Sequence, residues 1–449
     1  MGNLKIPLFY KLKRFTFFVD AILILLNISN TYSIIPFLIF TNRLSVNSLI
    51  ITIINIIYFF LRFGTRIRFP LRDLLFYLYI LICTLNFVFS TVNETMILGF
   101  IPMFTACITF YVILFNQTQR YRQKQTFNDS MNLVIRGYIW FCSYALFIAL
   151  SFLVLIEVFN FFPQFNQIGP EKFDILEDNI VRTSASYYFP FNLTLVMKST
   201  FERLPFFHKY GTITAIFHEP HTMTFTVFPS LFLMLMNREK KISQIFIIGV
   251  FVVYSFIAAS VMNIFSLFVT TLIAFSTKYK KLSVIILLVF IYAGLHLLTT
   301  ENAISDLIWN KIISGSSTYS ISTLQFAFSP KTFIGTNFLD TTYAKYNDAI
   351  GPGLNVGYVI FTLNLIFLAV LIYKIVYLLL SKNKNAWFIG LFGTYFVVHS
   401  IKLALSTYSL SLLLFVIYVI NTYYNELKIH NKIIQYLEPA PESQTITQE

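Results

Sequence analysis

The sequence predicts an all-α polytopic membrane protein, with about twelve transmembrane helices and two large loops, containing short helices, on one face. The first observation behind this prediction is composition: 57% of the 449 residues are hydrophobic and 12% are charged, whereas soluble domains carry about 25% charged residues. The second is that the apolar residues fall into stretches near the ~20 residues that cross a bilayer. The third is that basic residues are concentrated in alternate connections between these stretches, as in cytoplasmic loops.

Twelve apolar stretches follow one another along the chain. The first is long enough to tilt or bend in a bilayer. The seventh and eighth form one apolar block. We divide this block at Ala258-Ala259-Ser260, because two short spans place the basic residues before and after it on the same, cytoplasmic face. The stretches lie at 15–40, 46–61, 73–91, 96–115, 137–161, 213–236, 243–259, 261–277, 282–299, 355–380, 386–401 and 404–422.

The basic residues divide unequally between the two faces. With twelve spans, 22 of the 33 Lys and Arg residues fall on one side, 10 fall on the other, and Lys374 lies within a span. Because cytoplasmic loops are enriched in Lys and Arg, both termini are predicted to be cytoplasmic and both long loops to face out. The net charge of +13 follows from this bias. Divided among short loops, this charge suits anionic lipid headgroups better than a nucleic acid.

Two polar segments set the predicted domain organisation. Connecting loops are normally short, so two long loops on one face indicate a site built there and in the span ends that frame it. The three cysteines lie in apolar stretches and predict neither a disulfide framework nor a metal site, and no cofactor is indicated. The segments are N-terminal spans 1–161, the first outer loop 162–212, central spans 213–299, the second outer loop 300–354, C-terminal spans 355–422 and a cytoplasmic tail 423–449.

The first outer loop leads into the most informative segment of the chain. Its middle is expected to form a short helix over 193–204, in which Thr194, Lys198 and Glu202 share a face. The loop then runs into His218-Glu219-Pro220-His221 at the outer end of a span. Ionisable groups at membrane depth are costly and usually functional, and Pro220 loosens the first helical turn because it has no backbone donor.

Two other interpretations of this segment stay open. Glu219 and the two histidines can serve as caps of the helix at the membrane interface. They also offer a metal ion three ligands, although the histidine pair at i, i+4 spacing that characterises zinc-protease helices is absent.

The second outer loop is expected to hold short helices at 302–313 and 319–328, with Lys331 in the turn that follows. The glycines of this loop are more typical of turns than of a glycine-rich loop that binds phosphate. A further outward patch, His399 and Lys402, lies in the turn between the last two spans. Lys402 either adds positive charge to the outer face on which the two long loops are predicted, or extends its ammonium group to the membrane interface.

The topology and a short motif together resemble a known family. Two large outer loops, with Ile216-Phe217-His218-Glu219-Pro220 closing the first, resemble the bacterial O-antigen polymerase (Wzy) family, which is similar to the O-antigen ligases. Members often show a basic residue and then Gly-aliphatic-Phe-x-Glu-Pro at this place. They also show a Ser/Thr-rich helix start followed by a Pro-x-x-x-x-Gly turn in the later loop, which residues 314–318 and 329–335 resemble.

The chain departs from the family pattern at three positions. Thr212 stands where the first arginine is expected, and Ala215 replaces the glycine. In the later loop, Tyr319 lies near the place of the second expected arginine. Other basic residues would therefore have to bind the anionic substrate.

The resemblance implies a GT-C-like glycosyltransferase that works without a metal at the periplasmic face of the bacterial inner membrane. A growing glycan would leave undecaprenyl diphosphate and join a lipid-linked repeat unit, and a chain-length regulator of the Wzz type would be a possible partner. Glu219 is the expected general base, with His218 or His221 as second choices. The expected diphosphate ligands are Arg182, Lys198 and Arg203, then Lys331, with Lys209 and Lys402 as further sources of charge, and the expected sugar contacts are Tyr187, Tyr188 and Tyr210.

Two alternative functions remain at this stage. An O-antigen ligase would use the same donor, and topology does not separate it from a polymerase. A lipid-linked oligosaccharide flippase or another transporter would bind its substrate near the bilayer midplane, often at charged or broken spans. The in-span charges Asp20, Glu157 and Lys374 lie near predicted span ends or are isolated in the sequence, which argues against transport.

Overall fold

The computed structural model is predominantly helical, as predicted, and about 90% of the described residues are in helices. By length and composition, one helix in this part of the chain, Val134–Val158, could cross a membrane. Shorter apolar helices include Thr222–Met236 and Met262–Lys278. The structure describes residues 18–20, 22–28, 44–63, 71–81, 105–109, 124–159, 167–168, 187–188, 194–197, 212–217, 220–238, 240–258, 260–278, 292, 296, 358–400 and 410–437.

The helices coincide with many of the predicted apolar stretches. The predicted division of the block 243–277 is confirmed as a helix break, since one helix ends at Ala258 and the next begins at Val261. The last helix continues past the predicted span end at 422 to Leu437. The helices are α1 Leu44–Phe63, α2 Lys124–Leu153 with a π-helical turn Val154–Val158, α3 Pro220–Val227, α4 Ser230–Met236, α5 Lys241–Ala258, α6 Val261–Lys278, α7 Tyr358–Leu379, α8 Lys384–Ser400 and α9 Leu410–Leu437, with a 3-10 turn at Leu71–Asp73.

A small β-sheet, formed by the predicted first outer loop and the residues that follow it, departs from the all-α prediction. Four antiparallel strands pair in chain order. The helix expected over 193–204 is wrong at its start, because Leu195–Met197 is a strand. Val196 pairs with Ile213, and both side chains are buried. This apolar pair outweighs the few tenths of a kcal/mol that an exposed helical ion pair contributes. The strands are β1 Gln167–Ile168, β2 Tyr187–Tyr188, β3 Leu195–Met197 and β4 Thr212–Ala215.

The sixth apolar stretch, expected as a single helix over 213–236, has three parts. It begins as strand β4, becomes helix at Pro220 and breaks between α3 and α4 at Phe228 and Pro229. Proline is favoured in the first helical turn, where its missing N–H has no helical acceptor. Inside a helix, the same missing donor breaks the ladder, which explains the break at Pro229.

Helix α8 lies at the centre of the C-terminal helices and packs against α7, α9 and α6. Two of its glycines allow the close approach. A Cβ atom at Gly393 would lie 2.7 Å from Cδ1 of Ile420 in α9 and 2.8 Å from Cγ1 of Ile375 in α7. A Cβ at Gly390 would lie 2.7 Å from Cγ of Leu379. The three helices therefore meet where α8 has no side chain.

The predicted cytoplasmic ends of α6 and α8 are in contact. The indole Nε1 of Trp387, near the start of α8, donates to Oγ1 of Thr277 at 3.0 Å. The ammonium group of Lys278, the last residue of α6, lies 3.9 Å from the centre of the Trp387 ring. Two ends that the charge distribution assigns to the same face thus lie side by side.

Candidate functional site

The sheet joins segments of the first outer loop that the sequence leaves separate. Tyr187 pairs with Met197 and Tyr188 with Val196, which in turn pairs with Ile213. Neighbouring strands lie about 4.8 Å apart, so the backbone of Tyr188 lies roughly 10 Å from that of Ile213 across β3. Two of the predicted sugar-contacting residues are thereby brought close to the strand that leads into His218 and Glu219.

Strand β4 ends at a strained residue. Ala215 has φ 51°, a left-handed conformation that residues with a Cβ rarely adopt. Its carbonyl oxygen accepts a hydrogen bond from Thr194 Oγ1 at 3.0 Å, and a bulge between Leu195 and Val196 accompanies this contact. Ala215 is the residue that stands where the resembling family has glycine, and a glycine would adopt this conformation without strain. The strain therefore lies in the turn that directs the chain toward Glu219.

A buried polar cluster holds the α3 helix from the α8 side. Nε2 of His399, near the end of α8, lies 3.1 Å from Oγ1 of Thr224. The hydroxyl of Tyr395, one turn earlier in α8, donates to Oδ1 of Asn263 in α6 at 2.6 Å and lies 3.4 Å from the Thr224 carbonyl oxygen. Nδ2 of Asn263 donates to Oγ of Ser255 in α5 at 3.3 Å. Helices α3, α5, α6 and α8 are joined by this cluster.

Helix α2 holds the other end of α3. The hydroxyl of Tyr138 donates to the carbonyl oxygen of Thr226, and Sγ of Cys142 lies 3.7 Å from the same oxygen. The break at Pro229 removes helical donors for the last carbonyl groups of α3. Side chains take their place, since Oγ of Ser230 also donates to the Val227 carbonyl oxygen at 2.6 Å.

The segment that precedes Glu219 lies beside the middle of α2. The ring of Phe217 meets the ring of Phe141 edge-on, with 6.2 Å between their centres. The helix continues for 17 residues beyond Phe141 to Val158, which corresponds to about 25 Å along its axis. Phe217 lies well before the end of α2.

Most of the site residues expected from the sequence lie outside the described residues. His221 is in the first turn of α3, and Tyr187 and Tyr188 form β2; for these three the structure describes the backbone. Within the described part of the chain, no group of three or more His, Cys, Asp or Glu residues is arranged to hold a metal ion. The expected residues that lie outside are Arg182, Lys198, Arg203, Lys209, Tyr210, His218, Glu219, Lys331 and Lys402.

The polar cluster between α3 and α8 was not predicted from the sequence. Sequence reasoning singled out His399 as part of an outer turn, whereas the side chain is fully buried. It did not consider Thr224, Asn263 or Tyr395, which are buried as well. A usable signal was present, because each of these polar residues lies inside an apolar stretch, where a polar side chain needs a hydrogen-bond partner.

The sequence context of Lys374 suggested an isolated charge, but in the structure this residue has polar partners. It is buried, and its ammonium group donates to Oδ1 of Asn421 in α9. Nδ2 of Asn421 donates to Oδ1 of Asp73, also buried, at 3.1 Å. The Lys374 ammonium group also lies 5.1 Å from the centre of the Tyr424 ring. A cation and a carboxylate from distant parts of the chain are thus linked through one amide.

Comparison with known proteins adds no assignment: no family model, curated protein or solved structure matches the chain.

Proposed function

We propose that this chain is an O-antigen polymerase of the bacterial inner membrane, which transfers a growing glycan from undecaprenyl diphosphate to a lipid-linked repeat unit at the periplasmic face. The observation that carries the proposal is the four-stranded sheet. It joins Tyr187 and Tyr188 to β4, and β4 leads directly into the His218–Glu219–Pro220 motif. The twelve-span topology and the GT-C-like architecture belong to the same proposal.

Exposed apolar side chains support a membrane location. Trp140, Tyr144 and Phe147 follow one another along one face of α2 and are exposed to 76%, 48% and 70%. Ile242 and Phe246 form a similar face on α5. Soluble monomers rarely expose large contiguous apolar patches. A hydrocarbon environment accounts for these stripes together with the polar cluster buried between the helices.

In the proposed reaction, the Glu219 carboxylate takes the proton of an acceptor hydroxyl as that oxygen bonds to the anomeric carbon of the donor glycan. The bond from this carbon to the diphosphate oxygen breaks, and its electron pair leaves with undecaprenyl diphosphate. Arg182, Lys198 and Arg203 would stabilise the departing negative charge by charge-assisted hydrogen bonds. Glu219 then returns its proton to solvent, while aromatic side chains of the sheet bind the sugar faces.

The test is the lipopolysaccharide ladder of the native host after deletion of the chromosomal copy and complementation with variants. Glu219→Gln and Arg203→Ala should leave one capped repeat unit without longer rungs, at normal expression. Glu171→Gln, in the acidic part of the same loop, is the matched control and should restore the full ladder. Wild-type ladders from both Glu219→Gln and Arg203→Ala would refute the site. A deletion strain that caps no unit would refute the polymerase and favour the ligase or a flippase.

The orientation in the membrane can be tested separately. Single cysteines at positions 171 and 240 lie in a predicted outer loop and a predicted cytoplasmic turn. A maleimide that does not cross membranes should label Glu171→Cys in intact spheroplasts and label Lys240→Cys only after lysis. The reverse pattern would invert the proposed topology.

A lipid-linked oligosaccharide flippase is the second candidate, and the buried link between Lys374 and Asp73 through Asn421 favours it. Ionisable residues inside a bundle often mark a transport path. Under this candidate, Lys374→Met would trap lipid-linked repeat units on the cytoplasmic face and leave no capped unit. Under the polymerase proposal, the same variant at normal expression still yields single capped units.

A further inference from the structure

The contact between His399 and Thr224 involves α3, the helix that follows the proposed active-site segment in the chain. His399 is buried between the rings of Phe225 and Tyr395, whose centres lie 5.3 Å and 5.5 Å from that of the imidazole. Its Nε2 atom lies 3.1 Å from Thr224 Oγ1. A buried imidazole is costly to desolvate unless it is hydrogen-bonded. This polar contact of the histidine reaches the second half of α3.

Helix α3 is too short to hold its own direction. It has eight residues, and isolated helices shorter than ~12 residues are marginal. Pro220 lies at its start and the Pro229 break follows its end. Its orientation must therefore come from tertiary contacts, which include those of Thr224 with α8 and of Thr226 with α2.

The chain before α3 is also fixed. Ala215 is held in a left-handed conformation, and its carbonyl oxygen accepts the Thr194 hydroxyl. Eight residues separate Ala215 from Thr224, and Glu219 lies among them. Helix α3 begins directly after Glu219 in the chain, and a shift of ~1 Å in a catalytic group can lower a rate ~100-fold.

We propose that His399 is a positioning residue, which fixes Thr224 and thereby the orientation of α3, the helix that begins directly after Glu219 in the chain. This inference rests on the proposed function for its effect on activity. Its effect on local geometry does not depend on which reaction the protein catalyses.

Three variants separate the contact from the bulk of the side chain. His399→Leu and Thr224→Val remove the hydrogen bond and leave apolar groups in place. His399→Gln retains a polar atom at a similar distance from the backbone. We expect His399→Leu and Thr224→Val each to lower the rate of ladder extension at least tenfold, and the double variant to lose no more than either one. His399→Gln should stay within about threefold of wild type. Additive losses would show that the two residues act separately.

A cysteine at position 219 gives a readout that needs no glycan. The rate of maleimide labelling of Glu219→Cys, corrected for the chain without that substitution, should change at least threefold when His399→Leu is added. Adding His399→Gln should leave it unchanged. Melting temperatures of the purified variants in detergent would accompany both measurements.

The outcomes distinguish this inference from the proposed function. If the wild type itself makes no ladder but labelling changes as expected, the polymerase proposal fails and the positioning role of His399 stands. Unchanged labelling in His399→Leu would overturn the positioning role. So would equal loss of ladder extension in His399→Leu and His399→Gln, because the hydrogen bond would then be irrelevant. A lower melting temperature in His399→Leu with unchanged labelling would also count against it, since the role would be purely structural.

Discussion

Oγ1 of Thr224 and Nε2 of His399 are 3.1 Å apart, although the two residues are separated by 175 positions in the chain. The contact joins the second half of α3 to the end of α8. The charge distribution assigns the start of α3 and the end of α8 to the outer face. The opposite ends of α6 and α8 meet through Trp387 and Thr277. Side-chain contacts at both ends thus agree with one direction for α8 relative to its neighbours.

Removing the Tyr138 hydroxyl should destabilise the fold. Tyr138→Phe leaves the Thr226 carbonyl oxygen without its buried phenol donor, and an unsatisfied buried polar group costs about 1–3 kcal/mol. The melting temperature of the purified protein in detergent should therefore fall. Tyr144→Phe, on an exposed part of the same helix, is the control and should melt as the wild type does. Equal melting of all three proteins would contradict the importance of this bond.

Glycine at position 215 should stabilise the protein. Ala215 has φ 51°, and relief of a left-handed alanine is worth about 1 kcal/mol. Ala215→Gly should raise the midpoint of unfolding and Ala215→Val should lower it. Ala274→Gly, within helix α6, is a control of opposite sign, since glycine costs about 1 kcal/mol there. A loss of stability in Ala215→Gly would show that the turn is not strained.

A side chain added at Gly393 should force apart the three helices α7, α8 and α9, which meet there. The Cβ and methyl groups of Gly393→Val would overlap Ile375 and Ile420, and overpacking costs about 1–3 kcal/mol. Gly249→Val is the matched control, because nothing lies within 4 Å of a Cβ at Gly249. Thermal unfolding should distinguish the two. Similar melting of both variants would mean that α8 does not approach its neighbours so closely.

The link between Lys374 and Asp73 should behave as a coupled pair. Lys374→Met removes the buried ammonium donor of Asn421 Oδ1, and the same amide group donates to Asp73; a buried polar group left unsatisfied costs about 1–3 kcal/mol. The double variant Lys374→Met/Asp73→Asn removes both charges and should recover most of the lost stability. A double-mutant cycle on unfolding in detergent measures this coupling. Strictly additive losses would indicate that the bridge through Asn421 transmits no interaction.

The elements that could be predicted from sequence are those whose pattern is local. The division between α5 and α6 lies where it was predicted from the basic residues that precede and follow these two helices. The strand at β3 was missed because its stability comes from the pairing of Val196 with Ile213, which are 17 positions apart in the sequence. The strain at Ala215 was foreshadowed by an alanine standing where glycine is expected, but the φ angle is visible only in the fold.

The sequence by itself determined the apolar, helical character of the chain, the bias of its basic residues toward alternate connections, and the motif at His218 to His221. These follow from composition and short-range order, which act through neighbouring residues. Only the tertiary structure decided that Thr224 meets His399, that Thr226 meets Tyr138, and that Lys374 is linked to Asp73. A buried polar group must find a partner, but sequence alone does not say which of many distant groups the packing of helices brings within reach.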